Sequence, residues 1–347
     1  MRAVADLRII KTNNMKVLLI SNYKSSIGGI SGQVELLYKK LLKEGVTARI
    51  FSMKYNSFVR LFLPLRLIFV GYRYDVFHIH ACSHWGFLPA IAGIMIGRLL
   101  NRRIILTYHG GEADVFFKRH PVLVNYFLRK TDVNIVLSGF IASIFEKHRI
   151  PYRIVSNILE LDNKYFRERT AVRPCFISIR TLSPTYNIGC IIKAFEIVQK
   201  QIPTSELYIV GDGCSRKELE FMVEQKGIKN ICFCGHVDNC EIYSYLNKAD
   251  IFISSPVIDN QPMSVLEAFN AGLLVISSNV GGVPYMIENG RTGLLFESDN
   301  FIELSGKMLW AVNNQERVLK MTREAYKSLS YYSWENIKSN LLLFYEK

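Results

Sequence analysis

No stretch of this 347-residue chain is apolar over the roughly 20 consecutive residues that a membrane-spanning helix needs. The longest candidate, Trp85–Gly97, is too short, which argues against a helical span. A secretory signal is also lacking, because Met1–Asn14 mixes Arg2, Asp6, Arg8 and Lys11 with only a short apolar patch. Residues 1–14 are expected to be a poorly ordered leader, with Met15, where the first convincing strand begins, as an alternative start. Seven cysteines, an odd number at irregular spacing, do not make a disulfide framework and fit a reducing compartment. Cys232, Cys234, His236 and Cys240 look like a zinc set at first sight, but their spacing lacks the usual two-to-four-residue gaps. Cys232 and Cys234 instead share one face of a strand expected to be buried, where cysteine serves as a small apolar side chain. No metal site is assigned. Repeats at solenoid periods are absent. So are helix-turn-helix, zinc-finger and RNA-reading motifs, which argues against a nucleic-acid partner despite a net charge of +13.

What is present is a chain rich enough in apolar residues, at 49%, to bury a sizeable core, and long enough for two ordinary domains. Residues 1–165 hold 24 Lys and Arg against 10 Asp and Glu, whereas the remainder holds 19 against 20. All the excess positive charge therefore sits in the first half and points to an anionic partner for one domain. Short apolar runs at Val17–Ser21, Ala48–Ser52, Val76–His80, Ile104–His109 and Asn134–Leu137 alternate with helical spacings such as Gln33–Lys43. After a polar stretch, Glu160–Arg173, closed by Pro174, the alternation restarts with strands at Phe176–Ile179, Leu207–Val210, Ile231–Cys234, Ile251–Ser254 and Leu274–Ser277. Helices are expected at Ile188–Lys200, Arg216–Lys226 and Met263–Ala271, and three more from Asn300 onward. This is the pattern of two doubly wound α/β domains, residues 15–165 and 174–330, each with a parallel sheet covered on both faces. A closing helix within 331–347 is expected to pack back on the first domain. Ligands of such folds bind outside the carboxyl ends of the strands, here in a cleft between the domains.

The strongest local signal runs from Asp259 to Gly272. Asp259 is in a loop after a strand, and Glu267 is on an otherwise apolar helix, where a carboxylate needs partners. Sugar and ribose hydroxyls would serve, since a carboxylate accepts several hydrogen bonds. Equally, Asp259 could cap a turn and Glu267 could pair with a nearby cation. His109 follows an apolar strand at its carboxyl end, as a site histidine or a satisfied core one. His78 and His80 share a strand face suited to structural hydrogen bonding, and His84 sits in a loop.

Together with these residues, an ordered series of short motifs resembles the family 4 glycosyltransferases over nearly the whole chain from Met15. The series comprises Gly28-Gly29-Ile30, His78-Ile79-His80, Thr107–Gly110, Arg180–Asn187, Val210–Gly213, Phe233–Val237, Asp259 with Glu267, Gly281–Pro284 and Gly290–Leu295. The resemblance implies the GT-B fold, two Rossmann-like domains facing each other across a cleft. It also implies retaining transfer of a hexose-type sugar from a nucleotide-sugar, with UDP favoured over GDP, and no metal cofactor. Catalytic roles are implied for His109, Arg180 and Asp259, with Arg180 on the diphosphate and Asp259 on the donor sugar. Glu267 would hold the ribose, His236 and Val237 would lie near the base, and Gly28 and Gly29 would approach the phosphates. Gly211, Asn260, Met263 and Ser264 complete the implied donor site. Where many relatives carry Lys-Gly, this chain has Tyr186-Asn187, which leaves the second phosphate-neutralising cation unassigned, with Arg216 and Arg291 as candidates.

The segment Phe58–Tyr74 interleaves aromatics, aliphatics and arginines around Pro64, as either a core helix with solvated arginines or a surface lying among anionic headgroups. The first-half charge favours the membrane. The expected acceptor is a glycan or polyprenyl-linked glycan of cell-surface polysaccharide synthesis, and the expected location is cytoplasmic, peripheral on the inner face of the plasma membrane. A nucleotide-sugar epimerase of the same architecture and an inactive partner subunit are the rival readings.

Overall fold

The computed structural model describes residues 15–24, 29–54 and 62–346. Six strands, β1 (Lys16–Ser21), β2 (Thr47–Ser52), β3 (Val76–Ala81), β4 (Arg103–Tyr108), β5 (Val133–Val136) and β6 (Arg153–Ile154), form one sheet in the order β2-β1-β3-β4-β5-β6. Its helices are α1 (Ile30–Lys43), α2 (Leu63–Gly71), α3 (Leu88–Leu99), α4 (Ala113–Arg119), α5 (Pro121–Leu128) and α6 (Gly139–Lys147). A second sheet has the order β12-β11-β10-β7-β8-β9, from β7 (Cys175–Ile179), β8 (Glu206–Val210), β9 (Ile231–Gly235), β10 (Ile251–Ser254), β11 (Leu274–Ser278) and β12 (Leu294–Phe296). It is accompanied by α7 (Ile188–Gln201), α8 (Arg216–Gln225), α9 (Ile242–Leu246), α10 (Met263–Asn270), α11 (Phe301–Asn313) and α12 (Gln315–Ser328). The last helix, α13 (Trp334–Tyr345), returns to the first sheet.

All strand pairs in both sheets are parallel. Parallel neighbours need long crossovers, which cover both faces of the sheet and make the central strands continuous apolar runs. In β1, Leu18 and Ile20 pack with Phe77 and Ile79 on one face. Val17 and Leu19 pack on the other with Val34 and Leu37 of α1 and Ile337 and Leu341 of α13. Trp334 Nε1 also donates to Glu44 Oε1 at 2.8 Å.

Strand order reverses between β1 and β3 in the first sheet and between β7 and β10 in the second. At such reversals adjacent loops leave in opposite directions and open a crevice. The polar connection through 160–173 is anchored beneath the second sheet. Arg169 Nε and Arg173 Nε each lie 2.8 Å from a different oxygen of Asp250, the residue before β10, which is 1% exposed.

The expectation that Cys232 and Cys234 are buried is corrected. β9 is the edge strand of its sheet, Cys232 is exposed and Cys234 half-buried. Alternation along a strand reports which residues share a face, not whether a neighbour covers it. The short strands β6 and β12 were not anticipated.

Candidate active site in the cleft

Two charged side chains leave adjacent strands where the second sheet reverses. Arg180 directly follows β7, and Asp259 lies on the loop after β10. Arg180 Nη2 is 2.9 Å from Asp259 Oδ2 and 3.4 Å from Ser254 Oγ. The guanidinium carbon stands 4.9 Å from the centre of the Tyr186 ring. The Arg180–Asp259 contact is an ion pair without hydrogen-bond alignment, since Arg180 Nε and Asp259 Oδ2 are buried and have no hydrogen-bond partner. Buried polar atoms are normally paired, so these two keep donor and acceptor capacity that a polar ligand could use.

Close backbone packing holds both residues. Gly211, the residue after β8, has φ 131°, and a Cβ there would stand 1.9 Å from the Arg180 carbonyl oxygen. At Gly281, φ 52°, a Cβ would stand 2.0 Å from the Asp259 carbonyl oxygen. Only glycine tolerates either position.

These residues face a cavity of about 570 Å³ walled by both domains. Gly29, His109 and Glu112 contribute from the first, and Arg180, Tyr186, Gly211, His236, Val237, Asp259, Met263, Ser264 and Glu267 from the second. Glu267 accepts no hydrogen bond from the described residues, and burial pushes its carboxyl up to about 7 against the opposing pull of Arg180. Ser264 Oγ is likewise buried and unpartnered. His109 Nε2 lies 3.0 Å from His80 Nδ1, and burial lowers the His109 imidazole to about 4. His78, stacked on His80 at 4.4 Å, bonds Tyr345 of α13 and Thr107, each at 2.7 Å. Burial keeps His78 and His80 neutral too. His84 pairs with Glu112 at 3.3 Å, at the rim of the cavity.

Of the other residues singled out from sequence, Gly28 lies outside the described residues. Asn260, 2% exposed, does not line the cavity. Its Oδ1 accepts from Ser138 Oγ at 2.6 Å, and its Nδ2 donates to the His109 carbonyl at 3.4 Å. Gln261 accepts from the Asn157 amide at 2.6 Å and donates to the Leu137 carbonyl at 3.1 Å. The loop after β10 thus crosses the cleft and ties the domains, a role no local pattern announced. Arg216 and Arg291 do not supply a second cation here. Arg216 is held by Glu220 and Asp212, Arg291 by Glu288 and Glu324, and neither lines the cavity.

Two parallel-sheet domains that face each other across such a cavity are the GT-B architecture. Residues 164–328 match the family model described as glycosyl transferases group 1, and residues 39–163 the one described as glycosyltransferase family 4. The chain belongs to the family 4 glycosyltransferases. It is 23% identical to an uncharacterized glycosyltransferase of Methanocaldococcus jannaschii, over 96% of this chain and 98% of that one. It is also 23% identical to the alpha-monoglucosyldiacylglycerol synthase of Streptococcus pneumoniae, over 85% of this chain and 77% of that one. Among solved structures, sucrose-phosphate synthase from Thermosynechococcus elongatus superposes with a TM-score of 0.80 at 17% identity, covering 95% of this chain and 98% of that one. Anabaena HepE in complex with UDP-glucose superposes with a TM-score of 0.76 at 15% identity, covering 94% and 98%. At such identities the likeness concerns the fold.

Proposed function

We propose that this enzyme transfers a hexose-type sugar from a nucleoside diphosphate, UDP in preference to GDP, to a glycan or lipid-linked glycan acceptor at a membrane surface, with retention at the anomeric carbon. The observation that carries this reading is the Arg180–Asp259 ion pair at the strand reversal, whose buried Arg180 Nε and Asp259 Oδ2 atoms lack hydrogen-bond partners, facing a cavity shared by both domains. The diphosphate sits against the Arg180 guanidinium, whose fixed donors fit phosphate oxygens. The ribose bonds Glu267, and the sugar lies between Asp259 and His109. As the bond from the anomeric carbon to the phosphate oxygen breaks, charge grows on the diphosphate and Arg180 stabilises it. The acceptor hydroxyl attacks from the same face and passes its proton to the departing phosphate. No metal takes part.

An anionic membrane partner is supported by one surface of the first domain. Phe62, Leu65, Phe69 and Tyr72 lie on or beside one face of α2 at helical spacing, and Met95 and Leu99 lie on the neighbouring α3. Phe69 is 76% exposed and Leu99 71%. Arginines 66, 73, 98 and 102 lie in or next to the same helices. Residues 58–61 of the segment singled out from sequence lie outside the described residues. No helix among the described residues is long and apolar enough to cross a membrane.

The test is hydrolysis and transfer with a panel of UDP- and GDP-sugars, in EDTA. A UDP-hexose should be consumed and an acceptor product formed. Turnover only after adding magnesium or manganese would contradict the metal-free reading, and epimerised donor without acceptor would contradict transfer.

A further inference from the structure

The cavity wall poses a charge problem. Among the described residues, Arg180 is the one Lys or Arg that lines it, against the carboxyl groups of Glu112, Asp212, Asp259 and Glu267. Arg180 already faces Asp259 at 2.9 Å, which draws the guanidinium toward the acid. A diphosphate placed here needs that guanidinium kept available, and at least one further donor.

Tyr186 meets both needs by position. Its ring lies 4.9 Å from the guanidinium carbon, in range for a cation–π contact that works on the face of the fork and leaves its N–H groups free. The ring itself is held by its backbone. The Tyr186 amide donates to the Ser183 carbonyl at 3.0 Å, and the Tyr186 carbonyl accepts from Ser255 Oγ at 3.0 Å. The following residue, Asn187, takes a left-handed conformation at φ 43° and donates to Asp299 at 2.9 Å, fixing the turn that aims the ring. Tyr186 lines the cavity, and its hydroxyl has no hydrogen-bond partner among the described residues. Burial raises that phenol, so it remains a donor across the neutral range.

We infer that Tyr186 completes the leaving-group site, its ring holding Arg180 in place and its hydroxyl giving the diphosphate a second hydrogen bond. The inference rests on the donor-site reading above. It means that the leaving group is stabilised by one fixed charge and one neutral donor.

The test compares wild type with Tyr186→Phe, which keeps the ring and loses the hydroxyl, and Tyr186→Leu, which loses both. Binding of UDP, inorganic pyrophosphate and uridine is measured by calorimetry, and turnover is measured with the donor sugar found in the panel. UDP and pyrophosphate should bind roughly tenfold more weakly to the Phe variant and weaker again to the Leu variant. Uridine should bind all three alike, which a general loss of structure would not produce. The fall in turnover should be in kcat more than in KM. A Phe variant equal to wild type, a Leu variant no weaker than the Phe variant, or equal losses for uridine and pyrophosphate would each overturn the inference. If the Leu variant does not fold, the isosteric Phe variant alone decides through the pyrophosphate-to-uridine contrast. A wild type that binds no nucleotide would remove the donor-site reading and this inference with it. A wild type that binds UDP beside an unaffected Phe variant removes only the inference.

Discussion

Arg180 and Glu267 carry opposite demands in one cavity. Truncating Arg180 to alanine removes the fixed cation proposed to face the departing diphosphate, and kcat should fall roughly a hundredfold or more. Steady-state turnover checks this, and wild-type rates in a folded Arg180→Ala protein would refute the assignment. Glu267 titrates near neutrality because its carboxyl is buried without a hydrogen-bond partner, its value raised from 4.5 to about 7. Folding thus favours the protonated form. Its stabilising contribution is complete below 4.5 and is lost as pH rises through about 7. The Tm of wild type should therefore fall relative to Glu267→Gln across that window, and parallel Tm curves would contradict the shift. Ribose hydroxyls need the carboxylate, so nucleotide binding at pH ~6 should release a proton, seen as a dependence of binding heat on buffer ionisation. Glu267 stood out in sequence because a carboxylate on an otherwise apolar helix needs partners, and Asp259 because it lies on the loop between a strand and that helix. The bridging role of Asn260 and Gln261 was not, since Ser138 and Asn157 lie 122 and 104 residues away.

Among the elements, the central strands were readable to within a residue or so because each is an apolar run buried on both faces. β6, two residues long, and β12, three residues long, are too short to carry a periodic signal. The edge position of β9 depends on sheet order, which a single strand's pattern does not contain. The start of β10, and so the loop that carries Asp259, rests on Asp250. That residue is gripped by Arg169 and Arg173, and Arg169 also bonds the Ala249 and Ala271 carbonyls at 2.7 Å each. Removing one partner of a buried ion pair leaves charge uncompensated. Asp250→Ala should cost about 3–5 kcal/mol in denaturant unfolding. A loss below about 1 kcal/mol would mean that the cluster is solvated and weak.

For the whole molecule, the excess positive charge and the exposed apolar faces of α2 and α3 fall in the same half of the chain. That coincidence predicts flotation with vesicles rich in anionic lipid, weakened by salt and by Phe69→Glu. Equal recovery with neutral and anionic vesicles would argue against electrostatic docking. In the proposed function, two facing domains hold a sugar's diphosphate handle against one guanidinium. The direct measurement is a crystal structure of the wild-type protein with UDP, or with GDP if only that binds. The diphosphate should lie within hydrogen-bond distance of Arg180, with the ribose on Glu267. A diphosphate found away from both residues would contradict the account.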